Sequence, residues 1–167
     1  MVGPALRELR EARGLSLSEL ARRSGTGKGT LSELETGRRN PTLETLYAVT
    51  TALGVPLSTV LAGAPHPRVL SGRTVDAVLI ERHEDPAAVS EVHRLRIRAG
   101  DVQHSPAHTP GTTEHLVVLT GTARVGPVDA PETVGPGGHT AWAADAPHVY
   151  EAIDADVEAL LVVRYPR

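Results

Sequence analysis

The chain has 167 residues, enough for one ordinary domain or two small ones, and 40% are apolar, so a core can be buried and wholesale disorder is not expected. It contains no cysteine, which excludes disulfide frameworks and thiolate metal or redox sites, and no run near the ~20 apolar residues of a membrane helix. The net charge of −3 hides an asymmetry: residues 1–63 carry eight Lys/Arg against six Asp/Glu, whereas residues 64–167 carry nine against fourteen and hold all eight histidines. Two compositions in one chain argue for two domains with different partners. With no Phe, one Trp and three Tyr, the core must come from Leu, Val and Ala, and aromatic stacking platforms for single strands are excluded. The N-terminus is charged from Arg7 onward and lacks an apolar signal core, so a soluble cytoplasmic protein with no membrane partner is expected.

The first part has helical periodicity. Leu6, Leu9 and Ala12 share a face, and Gly14 can take the left-handed stop conformation. Ser16-Leu17-Ser18-Glu19 reads as a capping box, in which serine and glutamate satisfy each other's orphan amides. Leu17, Leu20 and Ala21 then face the core, and Gly25 breaks the helix. Leu31 and Leu34 lie on a third helix ending at Gly37, and Arg38-Arg39-Asn40-Pro41 is a turn. Leu43, Leu46, Tyr47 and Leu53 make a fourth amphipathic helix, and a short fifth spans 58–61.

Residues 64–68, with two prolines, read as a stiff linker. Beyond it come short runs of Val, Ile and Leu broken by Gly and Pro. Val92, Arg94, Arg96 and Arg98 alternate with His93, Leu95 and Ile97, and 116–119, 122–125 and 157–163 read as further strands. Many short strands at close spacing imply a sandwich or barrel.

Within 17–36, four positions meet the steric demands of a helix-turn-helix. Ala21 is small where two helices approach, Gly25 supplies positive φ at the turn, and Leu31 and Leu34 seat the second helix on the first. Residues 3–62 resemble the phage-repressor-like, Xre/Cro-type helix-turn-helix family. The stretches that carry the resemblance are Leu6–Arg10, Gly14–Ala21, Leu31–Gly37 and Asn40–Leu46. The resemblance implies that the second helix of the motif enters the major groove of double-stranded operator DNA, with Lys28, Gly29, Ser32 and Glu33 facing bases. Arg22, Arg23, Arg38 and Arg39 are then the candidates for phosphate contacts. Leu17 stands where the family often has Gln, and Gly27 and Gly29 flank Lys28, each interior glycine weakening the helix by roughly 1 kcal/mol. A single motif of this kind binds weakly, so a homodimer reading two half-sites is expected.

His104, His108, Glu114, His115, His139 and His148 fall within 45 residues of the second part. Imidazole and carboxylate groups in a set of three leave open positions on a metal. Residues 69–167 resemble a cupin, a small double-sheet barrel, and specifically the sensor half of Xre–cupin regulators. His108, Glu114 and Gly121 match the first cupin motif, and Gly137 and His148 the second. The second histidine of the first motif falls at Pro110, and Ala143, Asp145 and Ala152 replace expected residues of the second. The implied metal ligands are His108, Glu114 and His148, with His104 a candidate replacement for the lost ligand. The metal would be zinc, iron, nickel or manganese, or absent, with the histidines left to hydrogen-bond. Pleat alternation places Glu114 with Leu116 and Val118 on one face and His115 on the other, making His115 the weakest ligand. Trp142 and Tyr150 are candidates for lining the cavity with Leu116 and Val118. His66, His83, His93 and His139 read as isolated histidines.

The chain is therefore expected to be an all-α helix-turn-helix bundle of about five helices (1–63), a linker (64–68) and an all-β cupin barrel (69–167) for ligand sensing and dimerisation. The implied function is a transcriptional regulator whose barrel binds a small-molecule or metal effector. The alternative is an iron-dependent cupin oxidase or epoxidase-like enzyme that carries a helix-turn-helix, and a third is a metal-free dimerisation barrel.

Overall fold

A computed structural model describes residues 2–61 and 69–167; the expected linker, His66 included, lies outside the described residues. The chain divides into two compact units, Met1–His66 and Pro67–Arg167. The first holds five helices: α1 (Val2–Ala12), α2 (Leu17–Ser24), α3 (Lys28–Glu35), α4 (Leu43–Leu53) and α5 (Ser58–Leu61). Among the described residues no helix is long and apolar enough to cross a membrane.

Helix ends follow their capping residues. The Ser16 side chain accepts from the Glu19 amide at 3.1 Å and starts α2, and Thr42 accepts from the Thr45 amide at 3.3 Å and starts α4. Gly25, at φ 64°, takes the left-handed conformation that ends α2 without a Cβ penalty. Only half of the expected capping box forms. The Glu19 carboxylate turns away from Ser16 and accepts from Arg22 and Arg23 at 2.8 and 2.7 Å, because two guanidiniums are stronger donors than one amide.

Leu6, Leu20, Leu31, Leu46 and Leu57 fill the centre of the bundle, each almost wholly buried. The inward face of α1 departs from the expected stripe: it is Val2, Gly3 and Leu6, while Ala12 is exposed. Two contacts with α3 explain the rotation. A Cβ at Gly3 would lie 2.3 Å from the Leu34 carbonyl oxygen, so the helices touch where the side chain is missing. One turn past Leu6, the Arg10 guanidinium forks onto Glu35 at 2.7 and 2.8 Å and also donates to the Leu15 carbonyl at 2.9 Å. A charged residue thus occupies a place that periodicity reserves for an apolar one.

The second unit is built from antiparallel strands: β1 (Val69–Ser71), β2 (Val75–Glu84), β3 (Ala88–Ile97), β4 (Val102–Ser105), β5 (Thr113–Thr120), β6 (Ala123–Pro127), β7 (Glu132–Val134), β8 (His139–Ala143), β9 (His148–Ala152) and β10 (Val157–Pro166). They form a six-stranded sheet in the order β1-β2-β3-β10-β5-β8 and a four-stranded sheet in the order β4-β9-β6-β7. The two sheets face each other, since Trp142 of the first packs edge-on to Tyr150 of the second with ring centroids 5.9 Å apart. The double-sheet arrangement is the one expected of the second part.

Pleat alternation sets the interior. His93, Leu95 and Ile97 of β3 are buried, as the alternation predicts, while Arg94 and Arg96 are exposed. On the central strand β10, Val157, Ala159, Leu161, Val163 and Tyr165 point inward. Register then aligns one inner row across four strands: Glu91, Val163, Glu114 and Trp142. That row carries two carboxylates into the barrel.

Gly29 sits inside α3, exposed, and an added Cβ would meet no atom within 4 Å. Gly29→Ala should therefore stabilise the helical unit by about 0.5–1 kcal/mol, seen as a higher urea midpoint by circular dichroism without DNA. An unchanged or lower midpoint would contradict the free space at this position.

Candidate functional site

The helix-turn-helix is α2, the turn at Gly25, and α3. Leu20, Leu31 and Leu34 are buried and lock α3 onto its neighbours, leaving Lys28, Gly29 and Glu33 exposed and Ser32 half-buried on the opposite side. Lys28 makes no ion pair among the described residues. The arginines expected at phosphates are all exposed but not idle. Arg22 and Arg23 converge on Glu19, Arg39 lies 3.5 Å from Glu33, and Arg38 donates to the Thr36 hydroxyl at 3.0 Å. The paired arginines hold the Glu19 carboxyl down at about 2 through hydrogen bonds from Arg22 and then Arg23, so it stays ionised at any physiological pH.

In the barrel, His108, Glu114 and His148 come together, fully buried, each offering one ligand atom within 4.8 Å of the others. Glu114 is on β5 of the six-stranded sheet, His148 starts β9 of the four-stranded sheet, and His108 lies between β4 and β5. Glu114 accepts from the His108 Nε2 at 2.9 Å and from the Tyr150 hydroxyl through its other oxygen. Burial pushes the Glu114 carboxyl up, but the hydrogen bonds it accepts, from His108 first and from Tyr150, hold the group below the usual carboxylate range. Glu114 is thus an anion inside the barrel.

His148 has a fixed tautomer. Its Nδ1 lies 2.9 Å from the Ala146 carbonyl, which can only accept, so Nδ1 carries the proton. The Nε2 lone pair is then turned inward, buried, with no hydrogen-bond partner among the described residues, 3.6 Å from Glu114 Oε2. Two lone pairs facing each other in a dry interior repel unless a cation stands between them. A backbone carbonyl orienting the far nitrogen is also how metal-ligating histidines are held. The donor set fits a divalent ion once the His108 Nε2 proton that bonds Glu114 is given up, so that this nitrogen also presents a lone pair.

The other candidates separate clearly. Leu116, Val118, Trp142 and Tyr150 are all buried on the inner faces around the triad. His104 is exposed on β4 and stands apart from the triad; the pleat gives the inward place to Gln103, whose side chain accepts from the Thr74 amide at 3.3 Å. His115 and His139 lie outside, stacked on each other with ring centroids 5.6 Å apart, and His83 is exposed. His93, one of the histidines expected to hydrogen-bond or sit in loops, is wholly buried and bonded through Nε2 to Glu91 Oε2 at 3.0 Å. Sequence reasoning missed Glu91, although its place two residues before His93 put it on the same inward face.

The comparisons agree with this architecture. A helix-turn-helix family model (HTH_3) matches residues 6–60. The chain is 30% identical over 166 residues to the HTH-type transcriptional regulator SutR of Escherichia coli (strain K12), covering 97% of this chain and 93% of that protein. It is 31% identical over 115 residues to the uncharacterised HTH-type transcriptional regulator RghRB of Bacillus subtilis (strain 168), covering 68% of this chain and 78% of that one. Among solved structures, an HTH_3 family transcriptional regulator from Vibrio cholerae superposes with a TM-score of 0.85 at 26% identity, covering 99% of this chain and 96% of that chain. The chain therefore belongs to the HTH-type transcriptional regulators, as a DNA-binding regulator of the Xre type whose helix-turn-helix is followed by a double-sheet β-unit.

Proposed function

We propose that the chain reads operator DNA as a homodimer through α3, and that His108, Glu114 and His148 hold a divalent metal through which a small-molecule effector biases DNA binding. The observation that supports the sensor half is the His148 Nε2 lone pair, oriented by the Ala146 carbonyl and aimed at a buried carboxylate. When bound, the ion would supply a Lewis-acidic centre with positions left open for an effector. The same donor set serves non-haem iron oxygenases, but the relatives matched over most of this chain are named transcriptional regulators, which favours sensing over turnover. For the head, the exposed edge Lys28–Glu33 is the surface that would meet bases, and Arg22, Arg23, Arg38 and Arg39, all exposed, are the candidates for phosphates.

Glu19 sets the resting state of two of those arginines. In this reading Glu19→Gln releases Arg22 and Arg23 to phosphate, raising affinity for non-specific duplex and steepening the log–log salt slope by about 1 to 2. An unchanged slope would show that these arginines do not contact DNA.

Duplexes selected from a random pool test the base-facing edge. Lys28→Ala with Ser32→Ala should erase the selected preference while leaving weak, salt-sensitive binding; retained preference would overturn the assignment of α3. For the metal, the chain dialysed against zinc should carry about one equivalent by elemental analysis, and His148→Ala close to none. Equal content in both would remove His148 from the site.

A further inference from the structure

Trp142 is the sole tryptophan of the chain and stands on β8 directly opposite Glu114 in the strand register. Its ring lies 6.2 Å from that of His148 and edge-on to Tyr150, and the residue is 7% exposed. The indole Nε1–H is buried and has no acceptor among the described residues. A desolvated donor left unpaired is a standing cost, and such groups in folded proteins ask for a missing partner. Glu114 is not that partner: its oxygens are bonded to His108 and Tyr150, and no bond from the indole N–H reaches it.

Charge points the same way. A divalent ion held by one carboxylate and two neutral imidazoles keeps one residual positive charge, buried in an apolar shell where unpaired charge is costly. Glu91 is not among the ligating groups, being bonded to His93 on the far side of Val163. The site lacks an anion, and beside it sits an N–H that lacks an acceptor. One chemical group answers both.

We infer that the effector of this barrel presents a carboxylate, which coordinates the bound metal and accepts a hydrogen bond from the Trp142 indole N–H. The inference rests on the metal reading above and adds the class of ligand and the residue that selects it. Trp142 is then a specificity-determining residue, not a metal ligand.

The test uses the full chain loaded with cobalt(II) or zinc(II), with acetate as the probe. Acetate should perturb the cobalt visible band and quench the single tryptophan. Trp142→Phe, which keeps an aromatic ring and removes the N–H, should leave cobalt affinity unchanged and weaken acetate binding by about tenfold or more, the worth of one hydrogen bond to a charged group. In the unmodified zinc-loaded chain, the lone indole N–H signal in a proton–nitrogen NMR spectrum should move downfield with acetate and stay fixed without metal. That measurement decides the matter if the variant does not fold. Acetate affinity unaffected by Trp142→Phe, or an indole signal that ignores acetate, would overturn the inference while leaving the metal in place. Inorganic phosphate binding more tightly than acetate would overturn the carboxylate assignment. No cobalt band in the unmodified chain would overturn the metal reading and the inference with it.

Discussion

An ionised carboxylate inside a barrel must be surrounded by donors, and Glu114 is the point around which the second unit is arranged. Its two oxygens are claimed from different directions, by His108 ahead of β5 and by Tyr150 on the opposite sheet. The carboxylate therefore ties the two sheets together through their middle, where most barrels of this size place only hydrocarbon. The absence of Phe sharpens the point: Leu and Val line the long strands, and the bulk at the centre comes from Trp142, Tyr150 and Tyr165, all three clustered with the triad imidazoles. Polar and aromatic groups share one space because each needs the other. The rings shield the charge, and the charge gives the phenol a partner.

The helical unit solves a related problem with opposite charge. Arg10 and Glu35 are both largely withdrawn from water, with side-chain exposures of 12% and 8%, and their two-pronged contact joins the first helix to the last turn of α3. Losing either partner would strand the other, at about 3–5 kcal/mol for a buried pair. Together with the bare backbone at Gly3, this fixes how α3 is carried, leaving its far edge exposed.

Much of this was legible in the sequence because it rested on strict local demands. Ala21, Gly25, Leu31 and Leu34 announce a helix pair with little tolerance for other residues, and each helix is present where capping and glycine signals put it. The alternation of His93, Leu95 and Ile97 with arginines gave the inward face of β3 correctly. What failed was pairing at a distance. Periodicity could not tell that Arg10 would find Glu35 across the bundle, so the stripe on α1 was drawn through Ala12. The capping box was half right because Arg22 and Arg23 compete for the same carboxylate. His104 offered the right chemistry at the wrong phase of the pleat, whereas Glu91 had the right phase but no motif to mark it. The spacing of His108 to Glu114 carried the triad, but the tautomer of His148 is set by a carbonyl that no side-chain pattern reveals.

The way the triad is braced bears on what an occupant can and cannot change. In a zinc finger the ion is the scaffold, and its removal unravels the domain. Here the carboxylate is satisfied by protein donors, one imidazole is bonded to it, and the other is pinned to main chain, so the cage stands before any guest arrives. Arrival of a guest would exchange the His108–Glu114 hydrogen bond for bonds to the ion and release a proton, while the strands that carry the triad keep their places. Such a chamber is suited to report composition repeatedly and reversibly, as a gauge does, without risking the collapse of the housing each time it is emptied.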